Sequence, residues 1–196
     1  MMKKNVEPVG VIGLGAIGSG VAHSFLDAGI STFGCDVNPN ALTSFLKASG
    51  KAMNTPASLG KETRIIFLFV VNAEQAQLAF FGRNGLLDSL PKNSIIISCV
   101  TMAPNEIRAI GDKPRSFSVT MIDAPTSGGA ANAKVGRTKF MASGAPEAIE
   151  AVQFAFDAAA EKVFHIGNEL GQDSTNKVVH QLLAGVHISA AMEAVA

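Results

Sequence analysis

Lys177, His180 and Gln181 stand at i, i+3 and i+4 in the segment Lys177-Val178-Val179-His180-Gln181. On a helix they share one face and can point into a single site. An amine partly desolvated there has its pKa pulled down toward the range of a general base at neutral pH. A second group lies upstream, where Asp123-Ala124-Pro125-Thr126-Ser127-Gly128-Gly129 continues to Gly136. A Ser-Gly-Gly turn after a strand can offer a hydroxyl and successive backbone N–H groups to an anion such as a carboxylate. The third group opens the chain: Gly13-Leu14-Gly15-Ala16-Ile17-Gly18 follows the apolar run Val9-Gly10-Val11-Ile12, and Asp36 stands 18 residues beyond Gly18.

That last spacing is suited to a nicotinamide dinucleotide. In a strand–turn–helix, Gly13 permits the tight turn, Gly15 lets backbone approach the pyrophosphate, and Gly18 lets the helix lie close on the strand. The unpaired N–H groups of the first helical turn, at Ala16, Ile17 and Gly18, then face the phosphates. Asp36 can accept hydrogen bonds from the adenosine ribose and would repel a 2′-phosphate. No arginine occurs among Val37, Asn38, Pro39 and Asn40, so NAD is expected rather than NADP. Val70, Val71 and Asn72, and Thr101, fall where loops at the carboxyl ends of strands face the cofactor crevice.

Taken singly, these segments have plainer explanations. Pro, Thr, Ser and two glycines make an ordinary loop. A lysine on a helix is usually a solvated charge, and His23, His165 and His187 read as surface or satisfied core residues. No His/Cys/carboxylate spacing suggests a metal site.

The elements that must position these groups alternate as in βαβ units, predicting an α/β Rossmann-type fold, doubly wound around a mostly parallel sheet. Strands are expected at Val9–Gly13, Ile30–Cys35, Ile65–Val70, Ser94–Ser98, Ser118–Ile122, Lys139–Ala142 and Lys162–Ile166. Helices are expected at Ile17–Ala28, Pro39–Ser49, Ala73–Phe80, Pro104–Gly111 and Pro146–Ala159. From Asp173 to Ala196 one long helical segment follows, with Asp173 or Ser174 as candidate cap and an apolar, uncapped end. The expected organisation is a dinucleotide-binding unit over 1–172, then over 173–196 the first part of an interdomain helix leading to an all-α C-terminal domain absent from this chain.

Lys and Arg together number 16, as do Asp and Glu, giving a formal net charge of zero with no basic run. Neither nucleic acid nor a membrane surface is therefore an expected partner. No apolar stretch reaches the about 18 residues needed to span a bilayer and no signal-peptide core is evident, so a cytoplasmic location is expected. Cys35 and Cys99, each at the end of a predicted strand, are expected as buried or rim thiols without a disulfide.

Read together, the three segments resemble the β-hydroxyacid dehydrogenase (3-hydroxyisobutyrate dehydrogenase-like) family. GLGAIGSGVA is similar to its cofactor motif, DAPTSGGAANAKVG to its substrate motif, and GQDSTNKVVHQLLAGVHI to its catalytic-lysine motif. The likeness runs over essentially the whole chain. HQLLAGVHI, FLFVVNA and FGRNG are most similar to the L-threonate dehydrogenase branch. The resemblance implies Lys177 as catalytic acid/base, Ser127, Gly128 and Gly129 around the substrate carboxylate, His180 and Gln181 as further substrate contacts, and Thr101 at the nicotinamide end. It implies NAD-dependent oxidation of the hydroxyl of a small hydroxy acid or sugar acid, L-threonate to 2-dehydro-L-erythronate first among them, and homo-oligomers formed through the helical domain. The alternatives are reduction of tartronate semialdehyde or a related acid, and a cofactor-binding fragment without catalysis. One position departs from the family pattern: Asp173 replaces the second glycine of GxGxxxK. Its carboxylate could cap the helix or weaken NAD binding.

Overall fold

The computed structural model describes residues 6–115 and 118–196. Short runs of β-branched and aromatic residues form strands β1 (Val9–Ile12), β2 (Thr32–Cys35), β3 (Lys51–Met53), β4 (Ile65–Leu68), β5 (Ile95–Ser98) and β6 (Thr120–Asp123). They lie parallel in the order 3-2-1-4-5-6, the doubly wound arrangement expected from the alternation. Crossovers are made by α1 (Ala16–Asp27), α2 (Pro39–Lys47), α3 (Pro56–Gly60), α4 (Ala73–Phe81) and α5 (Pro104–Arg115). Beyond β6 the sheet turns mixed: β7 (Thr126–Ser127) and β6 both run antiparallel to β8 (Thr138–Ser143), while β9 (Ala160–Gly167) runs parallel to it. Helices α6 (Gly129–Ala133), α7 (Pro146–Ala151) and α8 (Gln153–Ala159) fill the connections, and α9 (Gln172–Val195) follows β9.

Every expected strand and helix is present, with ends shifted by a few residues. The additions β3, β7, α3 and α6 are each two to five residues long, too short to carry a periodicity of their own and held by neighbours instead. The helix expected over Pro146–Ala159 is broken at Val152, whose φ of −106° and ψ of 8° separate α7 from α8.

Alternation along the strands divides the core into two layers. Val9, Val11 and Phe67 face one side, where Phe67 meets Phe25, Phe140 and Phe156 with ring centroids 5.1–6.3 Å apart. Ile12, Ile66 and Leu68 face the other, against Leu59 and Phe80. Both cysteines are buried and free, as expected. Burial, with Asp36 adding to it, pushes the Cys35 thiol up to about 11, and burial with Asp123 raises Cys99.

Two expectations about the last helix are corrected. Its cap is Gly171, in the left-handed region at φ +85°, and neither Asp173 nor Ser174 caps it; both lie inside the first turn, facing the domain. Against the expectation that no apolar stretch reaches span length, α9 averages a hydropathy of 1.3 over an 18-residue window and is long and apolar enough to cross a membrane by length and composition alone. Its start is nonetheless built into the sheet, with Asp173, Ser174 and Lys177 buried, while Val178, Leu182, Val186 and Met192 further along are exposed.

Because Phe67 lies under three other rings, Phe67→Ala should cost about 3–5 kcal/mol. A lowered denaturation midpoint at constant m-value is the check.

Candidate active site

The expected cofactor residues gather at the carboxyl ends of the parallel strands, around the point where the order reverses between β1 and β4. There Gly13 takes a left-handed φ of +89°, with its N–H donating to the Cys35 carbonyl at 2.8 Å. A side chain on Gly13 would collide with the Phe69 carbonyl, and one on Gly18 with the Gly13 carbonyl. Those two glycines are demanded by the protein's own packing. Gly15 is not: a Cβ there would meet nothing within 4 Å. Gly15 and Ala16 are exposed, and Gly15 starts α1 with no side-chain cap, leaving its first N–H groups directed outward. An open, uncapped and positively polarised helix start fits a pyrophosphate. A cleft of about 740 Å³ begins at this turn and runs along α1, lined by Gly15, Ser19 and His23 together with Asn40 and Lys134.

Asp36 has backbone partners that the sequence reading did not assign it. Its Oδ2 accepts the Leu14 N–H at 2.5 Å and its Oδ1 accepts the Asn38 N–H at 2.7 Å, so the carboxylate joins the glycine turn to the start of α2. Asn72 likewise caps α4 by accepting the Gln75 N–H at 2.9 Å. Val71 and Thr101 are exposed at strand ends, and Val70 is half-buried.

The Ser-Gly-Gly turn is held beside the dinucleotide helix. Gly128 (φ +108°) and Gly129 (φ +66°) both take left-handed backbone, and α6 follows at once. A Cβ on Gly20 would lie 2.6 Å from the Ala133 backbone, so α1 and α6 pack at a distance only glycine allows. Ser127 is half-buried at the end of β7, and Gly128 and Gly129 are exposed.

A residue given no role in the sequence reading brings α9 to the same edge. Asp123, fully buried at the end of β6, accepts the Gly171 N–H at 3.2 Å and the Ser174 N–H at 3.0 Å through Oδ2. The cap of α9 thus comes from a side chain 48 and 51 residues away in sequence. The available signal was a carboxylate closing the apolar run Val119-Thr120-Met121-Ile122. Burial raises the Asp123 carboxyl, while the hydrogen bonds from Ser174 and Gly171 oppose the rise.

Of the three residues expected to share a site on α9, Lys177 alone is buried, at 6% exposure; His180 and Gln181 are exposed one turn further on. Shared helical phase does not carry them into the domain, since burial along α9 stops at Lys177's turn. Burial lowers the Lys177 amine from its ordinary value, and Asp173 opposes the shift. Asp173 is wholly buried. Burial first, then the Asp123 charge, raises its carboxyl to about 8 against the opposing effect of Lys177. Nothing among the described residues forms a group of three metal-ligating side chains.

Three outcomes follow from this geometry. Gly15→Ala should leave thermal stability unchanged and weaken NADH binding, read by cofactor fluorescence, whereas Gly18→Ala should lower the melting temperature itself. Asp123→Ala leaves two buried N–H groups unpaired and should cost about 1–3 kcal/mol for each, with hydrogen exchange accelerated at 171–174. A carboxyl protonated to about pH 8 when folded but ionised above the ordinary carboxylate range when unfolded makes stability fall as pH rises between those limits. Melting temperatures from pH 5 to 9 should show that decline, and Asp173→Asn should flatten it.

Comparison with known proteins agrees with this arrangement. Residues 8–167 match the NAD binding domain of 6-phosphogluconate dehydrogenase. L-threonate dehydrogenase of Haemophilus influenzae is 43% identical over 196 residues, all of this chain and 65% of that protein. The Escherichia coli K12 protein of the same name is 39% identical over 189 residues, 96% of this chain and 63% of that one. A crystal structure of 3-hydroxyisobutyrate dehydrogenase from Salmonella typhimurium superposes with a TM-score of 0.91 at 36% identity, covering 96% of this chain and 66% of that one. The chain thus spans about two thirds of the length of these relatives. With the glycine turn, the strand order and the match over 8–167 in agreement, the chain belongs to the family of the NAD binding domain of 6-phosphogluconate dehydrogenase.

Proposed function

We propose that the protein oxidises the hydroxyl of a short hydroxy acid with NAD, with L-threonate as the substrate and 2-dehydro-L-erythronate as the product. The observation that carries this reading is Lys177: an amine buried at the carboxyl edge of the sheet, on a helix whose start is tied by Asp123 to the strand leading into the Ser-Gly-Gly turn. The names borne by the Haemophilus and Escherichia relatives support the choice of substrate.

Bound NAD supplies the hydride acceptor at its nicotinamide. Lys177, its proton affinity reduced by burial, takes the hydroxyl proton as the carbinol carbon is oxidised, and returns it in the reverse direction. Ser127 and the N–H groups of Gly128 and Gly129 hold the substrate carboxylate, which fixes the carbinol hydrogen toward the cofactor. Gly13, Gly15, Ala16, Ile17 and Gly18 cradle the pyrophosphate; Asp36 receives the adenosine ribose and disfavours a 2′-phosphate. Val70, Val71, Asn72 and Thr101 border the cofactor, and His180 and Gln181 reach the substrate from outside the α/β unit. In this reading residues 1–172 form the cofactor unit of a cytoplasmic, homo-oligomeric enzyme. The exposed apolar side chains of α9 suit a helix leading into a further helical domain.

Lys177→Met should lower turnover by about 100- to 10,000-fold, the range of general acid–base catalysis, with NADH affinity retained. Steady-state assays of L-threonate oxidation and tartronate semialdehyde reduction, each with NAD and NADP, make the measurement. Undiminished turnover in the variant would sink the role of Lys177, and preference for the semialdehyde would replace the substrate.

A further inference from the structure

The start of α9 buries one ionisable group that the proposed reaction does not use. Asp173 lies one turn before Lys177, at i and i+4 on the same face, and both are more than nine-tenths buried. Its backbone N–H donates to Ser143 Oγ at 3.2 Å, but neither carboxyl oxygen has a hydrogen-bond partner. A buried carboxyl without donors is a cost to folding, so capping does not account for it; Asp123 already performs that task.

The groups around it come from several elements. On β6, Asp123 faces it as a like charge. Just past β5, Cys99 is a buried thiol held protonated by desolvation and by Asp123. Ser143 of β8 is uncharged, and Arg108 of α5 lies beside Gly171 at the helix start. Lys177 is the cation one turn further along the same buried face of the helix.

We propose that Asp173 is a positioning residue that sets the protonation of Lys177, the two side chains, one turn apart on the same buried face of α9, titrating as one coupled pair. Two ionisable groups one helical turn apart and away from water interact strongly and share macroscopic titration steps. The catalytic consequence rests on the reading of Lys177 as acid/base. The cation formed when Lys177 accepts the hydroxyl proton then lies beside a carboxyl able to ionise, and the pH at which the free amine appears is set by the pair.

The test follows the Lys177 side-chain resonance by NMR from pH 5 to 11 on this chain, assigned by its loss in Lys177→Arg. Asp173→Asn and Asp173→Ala should both move the Lys177 midpoint down by about one unit or more, the scale of a nearby opposite charge, and reduce the titration to a single step. Asp173→Glu should restore much of the parent behaviour. Both neutral variants remove a group that makes no side-chain hydrogen bond, so the fold should be retained. A Lys177 midpoint unmoved in both would overturn the proposal. In assays, the limb of hydroxy-acid oxidation should shift to lower pH by the same amount in Asp173→Asn. Turnover of Lys177→Met decides the acid/base reading separately: if that variant stays active while the NMR midpoint still shifts, the catalytic reading falls and the coupling stands.

Discussion

The arrangement depends on one buried carboxylate. Asp123 receives the first N–H groups of α9, and those groups would otherwise be unpaired in the interior. An anion at the positive end of a helix is favourable where water is excluded, and here it joins segments some fifty residues apart. The same residue leads, through Ala124 and Pro125, into the Ser-Gly-Gly turn. One interaction therefore brings the helix carrying Lys177 to the sheet edge that bears the candidate anion-binding loop.

Close approach of backbone completes the positioning. α1 lies against the turn after β1 because Gly13 and Gly18 carry no side chains, and against α6 because Gly20 carries none. Gly15 differs, since the protein places nothing near it. The contrast separates the glycines that the protein's own packing requires from the one that this packing leaves free.

Electrostatics at this edge are set by burial more than by pairing. Asp123, Asp173 and Lys177 are all displaced from their ordinary values by desolvation first, with neighbouring charges and hydrogen bonds as the second influence. A buried lysine with lowered proton affinity thus lies at the same helix start as carboxyls with raised affinity. The accompanying loss of stability is carried by two packed layers, in which Phe67 and its ring neighbours are the densest part.

Much of this was legible in the residues alone. The order of strands and helices, the glycine turn, Asp36 at the end of β2 and the free buried cysteines all followed from local pattern, because hydrophobic periodicity and turn chemistry act over a few residues. The short elements β3, β7, α3 and α6 did not, since each exists only through its neighbours. Asp123 as the cap of α9, the hydrogen bonds that join Asp36 to Leu14 and Asn38, and the parting of Lys177 from His180 and Gln181 were decided by tertiary structure. Helical phase places three side chains on one face; how far the domain packs along that face determines which of them leaves water. The chain's own pattern could name Lys177, Ser127 and the glycines as chemically competent, but desolvation is a property of the packed neighbourhood, and only the fold supplies it.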